Sequence, residues 1–245
     1  MSDGNLERIG ARVPRCRRCP RLVGYRREIK RRYPDYRCLP VPSFGDPRAW
    51  LVIVGLAPGF HGANRSGRPF WLDASGEWLY GELERCGLWN GRTLRGVCIL
   101  NAVKCVPPAN RPTTEESERC RPWLAAELAA LVHARVVLSL GAIAHRAVLR
   151  AWELQPLSRF AFRHGAVHAL EGRPPLLCSY HPSRQNTNTG VLTQSMWQAI
   201  FAHALTLRRC RATGATRGTA RDAMALPSAE RRTVESRRAR SHRKA

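Results

Sequence analysis

Residues 50–80 read WLVIVGLAPGFHGANRSGRPFWLDASGEWLY. The apolar, β-branched run from Leu51 to Val54 ends at Gly55 and is typical of a buried strand. A loop rich in glycine and proline follows, and a segment with helical character begins at about Ser75. This order of strand, long loop and helix is how α/β proteins place functional groups beyond the carboxyl end of a strand. Because the loop interleaves charged and amide side chains with aromatic ones, we predict that it binds a ligand.

Three later apolar runs resemble the first, and each predicts a further strand: Val97 to Val103, Arg135 to Leu140 and Pro175 to Tyr180. Helices are predicted at Glu77 to Cys86, Thr113 or Thr114 to His133, Ala142 to Trp152 and Thr193 to Arg209. Strands that alternate with helices indicate a mainly parallel sheet covered on both faces. We therefore predict an α/β fold with a central four-stranded, mainly parallel sheet. The segment from Phe160 to Ala169 is expected to add a hairpin or an edge strand.

Polar residues follow three of the predicted strands. The 56–73 loop follows the first strand, Asn101 lies at the end of the second, and His181 follows the fourth. The carboxyl ends of parallel strands meet at one edge of a sheet, so we expect one site along that edge.

The chain is strongly basic: 41 Lys and Arg residues against 18 Asp and Glu give a formal net charge of +23. Such an imbalance favours a polyanionic partner, most simply nucleic acid. Arginine dominates, which suits bidentate phosphate contacts but is also what a GC-rich genome produces. We expect residues 1–210 to form one domain. Residues 211–245 lack apolar periodicity and are expected to be a basic, disordered tail, which either adds nonspecific DNA affinity or is only a solvated extension.

The sequence shows no sign of export or membrane insertion. No apolar run approaches the ~20 residues that cross a bilayer, and residues 1–16 lack the apolar core of a secretory signal. We therefore expect a cytoplasmic protein with no membrane contact. Nine cysteines in such a chain argue against a disulfide framework and leave metal ligation or buried free thiols.

Four of the cysteines have spacing that suits a metal. Cys16 and Cys19 form a C-x-x-C pair, and Cys105 and Cys120 form a second, widely spaced pair. Four thiolates can close a zinc site or hold a [4Fe–4S] cluster, and spacing alone does not separate the two. The others are expected to be small core residues, except that Cys38 could substitute for one of the four. A thiol oxidoreductase is disfavoured because the C-x-x-C pair does not lie between a strand and a helix.

Two stretches together resemble the uracil-DNA glycosylase superfamily: GLAPGFHGANRSGRPFWLDASG at 55–76 and HPSRQNTNTG at 181–190. ILNAVKCVPPANRPT at 99–113 resembles its third signature, and the similarity covers roughly residues 14–205. The chain is most similar to family 5, the B-type enzymes of bacteria and archaea, with family 4 next. In both families cysteines at the four positions named above hold a [4Fe–4S] cluster.

The resemblance implies a three-layer α/β/α sandwich and a monofunctional DNA glycosylase of base excision repair. Such an enzyme flips and hydrolytically removes uracil, and other deaminated bases such as hypoxanthine, from DNA. It implies a monomer that acts on damaged, double-stranded DNA in the nucleoid of a bacterium or archaeon. The alternative is a noncatalytic iron–sulfur or zinc DNA-binding protein, which the charge and the cysteines alone would also support.

Single residues in the first motif separate the subfamilies. Leu56 stands where family 4 usually has an acidic residue, so the motif resembles family 5. The chain departs from family 5 at Gly59, where alanine is common, and at Trp71-Leu72, where a smaller pair that ends in glycine is usual. Larger side chains there are expected to narrow or reshape the pocket.

The resemblance also implies the roles of the site residues. Breaking an N-glycosidic bond requires a negative group near the sugar and donors near the departing base. Asp73 is implied to be the catalytic carboxylate, although its position also suits a helix N-cap. His181 is implied to bond a carbonyl of the departing base, Phe70 to stack on the flipped base, and Asn101 to bond its edge. Gly55 is expected to line the same pocket.

The DNA contacts are expected in two loops. In the family, the loop after the fourth strand enters the DNA where the base leaves, and here it contains Ser183, Arg184, Gln185 and Asn186. Asn64 and Arg65 are expected to contact a phosphate or the opposite strand.

Overall fold

The computed structural model describes residues 3–212 of the chain. From residue 213 onward, the predicted tail lies outside the described residues. A sheet of six strands forms the centre, in the order β1-β3-β2-β4-β6-β5. The strands are β1 Phe44–Gly45, β2 Leu51–Gly55, β3 Val97–Asn101, β4 Val136–Leu140, β5 Val167–His168 and β6 Leu176–Ser179.

The four longer strands, β3, β2, β4 and β6, are mutually parallel, which confirms the predicted parallel sheet. The two-residue strands β1 and β5 pair antiparallel to β3 and β6 and extend the sheet to six strands. The 160–169 segment therefore supplies an edge strand, as expected. Every residue of the four parallel strands is buried, because helices cover both faces.

Eight α-helices surround the sheet in the described part of the chain: α1 Asp3–Arg12, α2 Pro20–Arg32, α3 Ala63–Ser66, α4 Ala74–Arg85, α5 Thr114–Ala130, α6 Ala142–Ala151, α7 Arg184–Asn188 and α8 Gln194–Ala212. On one face, Leu83 of α4 and Phe201 of α8 pack in one core with Ile53. On the other, α1, α5 and α6 pack around Val52 and Val54. Successive residues of β2 thus face opposite cores, which gives the three layers of an α/β/α sandwich.

The first two helices, α1 and α2, were not predicted from the sequence, and for α2 the burial pattern explains why. Its buried residues are Leu22, Arg26 and Ile29, which have the spacing of one helical face. The middle position of that face is a charged residue, so the hydrophobic pattern is interrupted. The Arg26 side chain is buried because its Nη1 donates to the carbonyl oxygen of Cys38 at 2.8 Å.

The sheet brings the predicted strand ends together. Gly55 lies opposite Asn101 in the register of β2 and β3. The neighbouring strands β4 and β6 end at Leu140 and Ser179, two residues before His181. The long 56–73 loop lies beside these ends and enters α4 at its N-cap, Asp73.

In residues 3–212, no helix combines the length and the apolarity needed to cross a membrane.

Candidate active site

Gly55 is the floor of the site at the end of β2. A Cβ built there would lie 2.5 Å from the Phe70 ring and 2.8 Å from Oδ1 of Asn101. No other residue would fit without displacing both side chains. The missing side chain of Gly55 therefore lets the Phe70 ring and the Asn101 amide lie against the strand end.

Asn101 has a buried amide without hydrogen-bond partners. Only 2% of the residue is exposed, and neither Nδ2 nor Oδ1 makes a hydrogen bond to any residue that the structure describes. An unpaired buried polar group costs free energy, roughly 1–3 kcal/mol, so such groups in native proteins need a reason. The amide is therefore placed to bond something that enters the site.

A buried ion pair holds the backbone of Asn101 in place. The Lys104 ammonium donates to the backbone carbonyl of Asn101 at 2.7 Å and pairs with the Glu127 carboxylate. Both charged side chains are almost completely buried, and Glu127 also accepts from the backbone N–H of Ser43 at 3.2 Å. The sequence did not predict this pair, because Glu127 lies far from Lys104 along the chain, in α5.

The two carboxylate oxygens of Asp73 have different surroundings. Oδ1 accepts from the backbone N–H of Gly76 at 2.9 Å and caps α4. Oδ2 lies against the backbone of the loop, since a Cβ on Gly59 would come within 2.8 Å of it. Burial raises the pKa of Asp73, while the amides of the first turn of α4 act in the opposite direction. The N-cap role of Asp73 is therefore present, and it engages Oδ1.

His181 and Phe70 form a stacked pair. Their ring centroids are 5.7 Å apart, with 30° between the planes. Burial lowers the pKa of His181 to about 4, so its imidazole is neutral at pH 7. Its backbone carbonyl accepts from Asn186 Nδ2 and from Ser183 N, both at 2.8 Å. These two bonds fix the loop that carries the histidine.

The segment before Asp73 is strained and held by an aromatic cage. Phe70 and Leu72 adopt positive φ angles of 54° and 67°, which are unusual for residues other than glycine. The Arg68 guanidinium lies 3.9 Å from the Trp71 ring centroid and 3.1 Å from the Tyr80 hydroxyl. It also lies against the rings of Phe44 and Trp89. Trp71 thus anchors the loop, whereas Leu72 is 57% exposed beside the site.

The predicted DNA-contacting residues divide into exposed and structural ones. Arg184 and Gln185 are exposed at the start of α7, and Arg65 is exposed above the Tyr36 ring. Ser183 caps α7, and Asn186 bonds the His181 carbonyl as described. Asn64 is only 1% exposed, and its Nδ2 lies 3.6 Å from the Cys38 sulfur and 3.5 Å from the carbonyl oxygen of Phe60. In this structure Asn64 holds the loop from inside rather than facing a phosphate.

The four predicted metal-binding cysteines come together. Cys16, Cys19, Cys105 and Cys120 line one small cavity between α2, the loop after β3 and the start of α5. The Trp123 indole N–H donates to the Cys16 sulfur at 3.4 Å, and the backbone N–H of Lys104 donates to Cys120 at 3.2 Å. Burial raises the pKa of Cys105 to about 12 and of Cys120 to about 11, and the other thiols add to both effects. Cys38 does not line this cavity.

The spacing of the four sulfurs tests which metal group fits. Four sulfurs around one zinc ion lie roughly 3.8 Å apart, because each Zn–S bond is about 2.3 Å. In the described part of the chain, no three of these sulfurs lie within 4.8 Å of one another. A [4Fe–4S] cluster binds each cysteine through a different iron and needs wider spacing. The donor set fits the cluster that the resemblance implies better than a single zinc ion.

Comparison with known proteins agrees with this geometry. Residues 42–205 match the family model described as the Uracil DNA glycosylase superfamily. A type-5 uracil-DNA glycosylase of Thermus thermophilus is 46% identical over 202 residues, which are 77% of this chain and 92% of the relative. A type-5 uracil-DNA glycosylase of Pyrobaculum aerophilum is 46% identical over 206 residues, 79% of this chain and 89% of the relative.

A type-4 uracil-DNA glycosylase of Pyrobaculum aerophilum is also similar, with 34% identity over 187 residues, which are 73% of this chain and 83% of the relative. The lower identity to this type-4 protein agrees with the hydrophobic Leu56 in the first motif. The chain therefore belongs to the uracil DNA glycosylase superfamily, in its type-5 branch.

Proposed function

We propose that this protein is a uracil-DNA glycosylase of base excision repair that hydrolyses the N-glycosidic bond of uracil and leaves an abasic site. The observation that carries the proposal is the unpaired, buried amide of Asn101 beside Phe70, His181 and Asp73 at one sheet edge. The names of the type-5 and type-4 relatives support the same activity. A noncatalytic DNA-binding module has no use for such a pocket.

The target base is held by stacking and by hydrogen bonds. A flipped pyrimidine stacks on the Phe70 ring, which is itself fixed against Gly55. The Asn101 amide donates to a carbonyl of uracil and accepts from its N3–H. These bonds satisfy an amide that has no partner within the described protein, so binding the base relieves the cost of burying it.

Bond cleavage separates charge, and the two remaining side chains match that separation. As the C1′–N1 bond breaks, its electron pair leaves with the base and the sugar becomes positive. The Oδ2 oxygen of Asp73 stabilises the sugar cation and orients the water that attacks C1′. The attacking water supplies a hydroxyl group to C1′ and, overall, a proton to the base.

His181 acts on the departing base as a neutral donor. Its pKa of about 4 means that the imidazole carries no charge at neutral pH, so it donates an N–H to a carbonyl of the base without transferring a proton. The stacking contact with Phe70 and the two bonds to its own carbonyl fix its position before the base arrives.

The DNA enters across the loop after β6. Arg184 and Gln185 are exposed beside His181 and are the residues of this loop that we expect in the duplex where the base leaves. Arg65 is expected to bind a phosphate. Double-stranded DNA is the proposed substrate, since extrusion of a base leaves a gap that side chains of this loop fill.

The four cysteines would hold a [4Fe–4S] cluster with a structural role. When bound, the cluster joins the N-terminal segment to the loop after β3 and to α5, and it does not take part in base release. The neighbouring arginines stay exposed: Arg17 and Arg18 lie between Cys16 and Cys19, and the Arg119 Nη1 donates to the carbonyl oxygen of Arg18 at 3.0 Å. These arginines would then form a basic surface that faces DNA.

The catalytic unit is proposed to be residues 1–210, and the protein is proposed to act as a monomer. The family match begins at residue 42, so the N-terminal cysteine pair lies before it. The tail from residue 211 is proposed to be a separate basic extension. Such an enzyme works wherever cellular DNA is exposed to deamination.

The proposal is tested by incubating the purified protein with a duplex that contains one uracil and then cleaving any abasic site with alkali. We expect strand cleavage at the uracil position only. A matched duplex with thymine should stay intact, and a panel with hypoxanthine and other deaminated bases defines the base range. Tight DNA binding without any alkali-sensitive product would instead support the noncatalytic alternative.

A further inference from the structure

Three potential metal ligands meet outside the active site. His145 of α6, His168 of β5 and Cys178 of β6 place one ligand atom each so that all three lie within 4.8 Å of one another. In residues 3–212, no other group of three histidine, cysteine or carboxylate residues does so. Cys178 was expected to be only a small core residue, and neither histidine was singled out from the sequence.

His145 is oriented as a metal-binding histidine is. Its Nε2 lies 2.7 Å from the carbonyl oxygen of Phe160, so Nε2 carries the hydrogen and Nδ1 has a free electron pair. That Nδ1 lies 3.3 Å from the Cys178 sulfur. Around a tetrahedral zinc ion, with Zn–N near 2.0 Å and Zn–S near 2.3 Å, nitrogen and sulfur lie roughly 3.5 Å apart. Metal-bound histidines usually donate their other N–H to a carbonyl in this way.

His168 supplies the observation that a simple hydrogen bond does not explain. Its Nε2 is buried and has no hydrogen-bond partner among the described residues, while its ring centroid lies 5.2 Å from that of His145. A hydrogen bond from the Cys178 thiol to His145 would satisfy those two residues alone. It would leave the Nε2 nitrogen of His168 buried and unpaired. A metal ion satisfies all three.

The protonation states also suit a metal ion. Burial lowers the pKa of both histidines, so both imidazoles are neutral at pH 7. Burial raises the pKa of Cys178 to about 11, whereas the Ser139 hydroxyl and the backbone N–H of Arg163 act in the opposite direction. A bound divalent cation displaces the thiol proton, so binding releases one proton.

We propose that His145, His168 and Cys178 bind one zinc ion or a chemically similar divalent transition-metal ion, with the fourth ligand position open to water. Two imidazoles and one thiolate form a borderline-soft donor set that suits zinc. The ion ties the two-residue edge strand β5 and helix α6 to β6. Because β6 ends two residues before His181, the site braces the strand that presents this residue.

The test measures zinc in the full-length protein after equilibration with zinc and a chelator of micromolar affinity. We expect one more zinc per chain in the wild type than in His168→Gln. His168 is only partly buried, so this variant should fold. The matched control is His164→Gln, a partly buried histidine of the same segment whose Nδ1 accepts from the Tyr180 N–H at 3.1 Å. It should bind as much zinc as the wild type.

X-ray absorption at the zinc edge separates this site from the four-cysteine site. One sulfur near 2.3 Å with two or three nitrogen or oxygen neighbours near 2.0 Å supports the proposal. Zinc in excess should also raise the melting temperature by about 5 °C or more in the wild type and the control, but not in His168→Gln. The same zinc content in wild type and His168→Gln, or a pure four-sulfur signal, would overturn it. Neither outcome depends on glycosylase activity.

Discussion

Replacing Asn101 by leucine should make the protein more stable and much less active. Leucine has nearly the shape of asparagine but carries no polar atoms. In the free protein both polar atoms of the amide are buried and unpaired within the described residues, so their removal ends a desolvation cost. The same atoms are the ones that we propose to bond the flipped base.

The expected changes in stability and in excision rate both follow from removing the unpaired Asn101 amide. Leaving a buried polar group unpaired costs roughly 1–3 kcal/mol, so the free energy of unfolding of Asn101→Leu should rise by about that amount. For a domain of this size, each kcal/mol raises the melting temperature by roughly 2–4 °C. Loss of a preorganised hydrogen-bonding group in an active site slows catalysis by about 100-fold or more, and we expect that loss in single-turnover uracil release.

The assay compares Asn101→Leu with Asn64→Leu. Both asparagines are nearly completely buried, but the Asn64 amide nitrogen lies near two acceptors, the Cys38 sulfur and the Phe60 carbonyl. Asn64→Leu should therefore gain less stability than Asn101→Leu, or lose some, and should keep most of its excision rate. Thermal unfolding and single-turnover excision are measured on both proteins.

Two results would refute this reasoning. A clear loss of stability in Asn101→Leu would mean that the amide makes bonds which hold the fold together. An excision rate within a few-fold of the wild type would mean that the amide does not contact the base.

Three further outcomes are expected. Cys16→Ala should give colourless, poorly folded protein without iron, whereas Cys86→Ala, which lies outside the four-cysteine cavity, should keep the colour. Iron analysis and visible absorbance measure both variants. An iron-free Cys16→Ala protein with full stability and activity would contradict the structural role of the cluster. Glu127→Ala leaves the buried Lys104 ammonium unpaired and should destabilise the protein by about 3–5 kcal/mol in urea unfolding, so a loss below about 1 kcal/mol would argue against a tight pair. The single-turnover rate should fall as the pH drops through the raised pKa of Asp73, because only the carboxylate stabilises the sugar cation. As the pH falls over this range, the contribution of Asp73 to the free energy of folding becomes more favourable, because a raised carboxyl pKa means that the folded protein binds the proton more tightly than the unfolded chain. The fall in rate should therefore occur without unfolding. A fall in rate that merely tracks unfolding would contradict the assignment.

The parallel sheet could be predicted because its strands are buried on both faces. Continuous apolar runs such as the one in β2 are visible in the sequence, and the glycines and prolines after it mark the loop. The same logic predicted that Asn101 and His181 lie at one edge of the sheet, since the order of the four long strands does not matter when these four run in one direction. The helix start at Asp73 followed from its capping chemistry.

Long-range pairs between polar residues could not be predicted. The charge of Arg26 hides the apolar face of α2, and its buried position depends on a carbonyl oxygen in another segment. The ion pair of Lys104 and Glu127 joins residues that are 23 positions apart. No local pattern marks such partners, because they are selected by the packing of elements and not by their periodicity.

The aromatic cage around Arg68 explains the departure at Trp71. From the sequence, the larger residue there was expected to narrow or reshape the pocket. In the structure the Trp71 ring stacks on the guanidinium and holds a loop with two positive φ angles. Leu72 is 57% exposed beside Asp73, so it is the residue of this pair whose side chain is open to solvent.

The central claim is that Asp73 drives base release, and Asp73→Asn tests it most directly. Asparagine is as good an N-cap as aspartate and places no charge in the site, so α4 and the fold should be preserved. We predict that the variant binds a uracil-containing duplex as tightly as the wild type and releases uracil at least about 100-fold more slowly in single-turnover measurements. Unchanged excision by a folded Asp73→Asn would contradict the account.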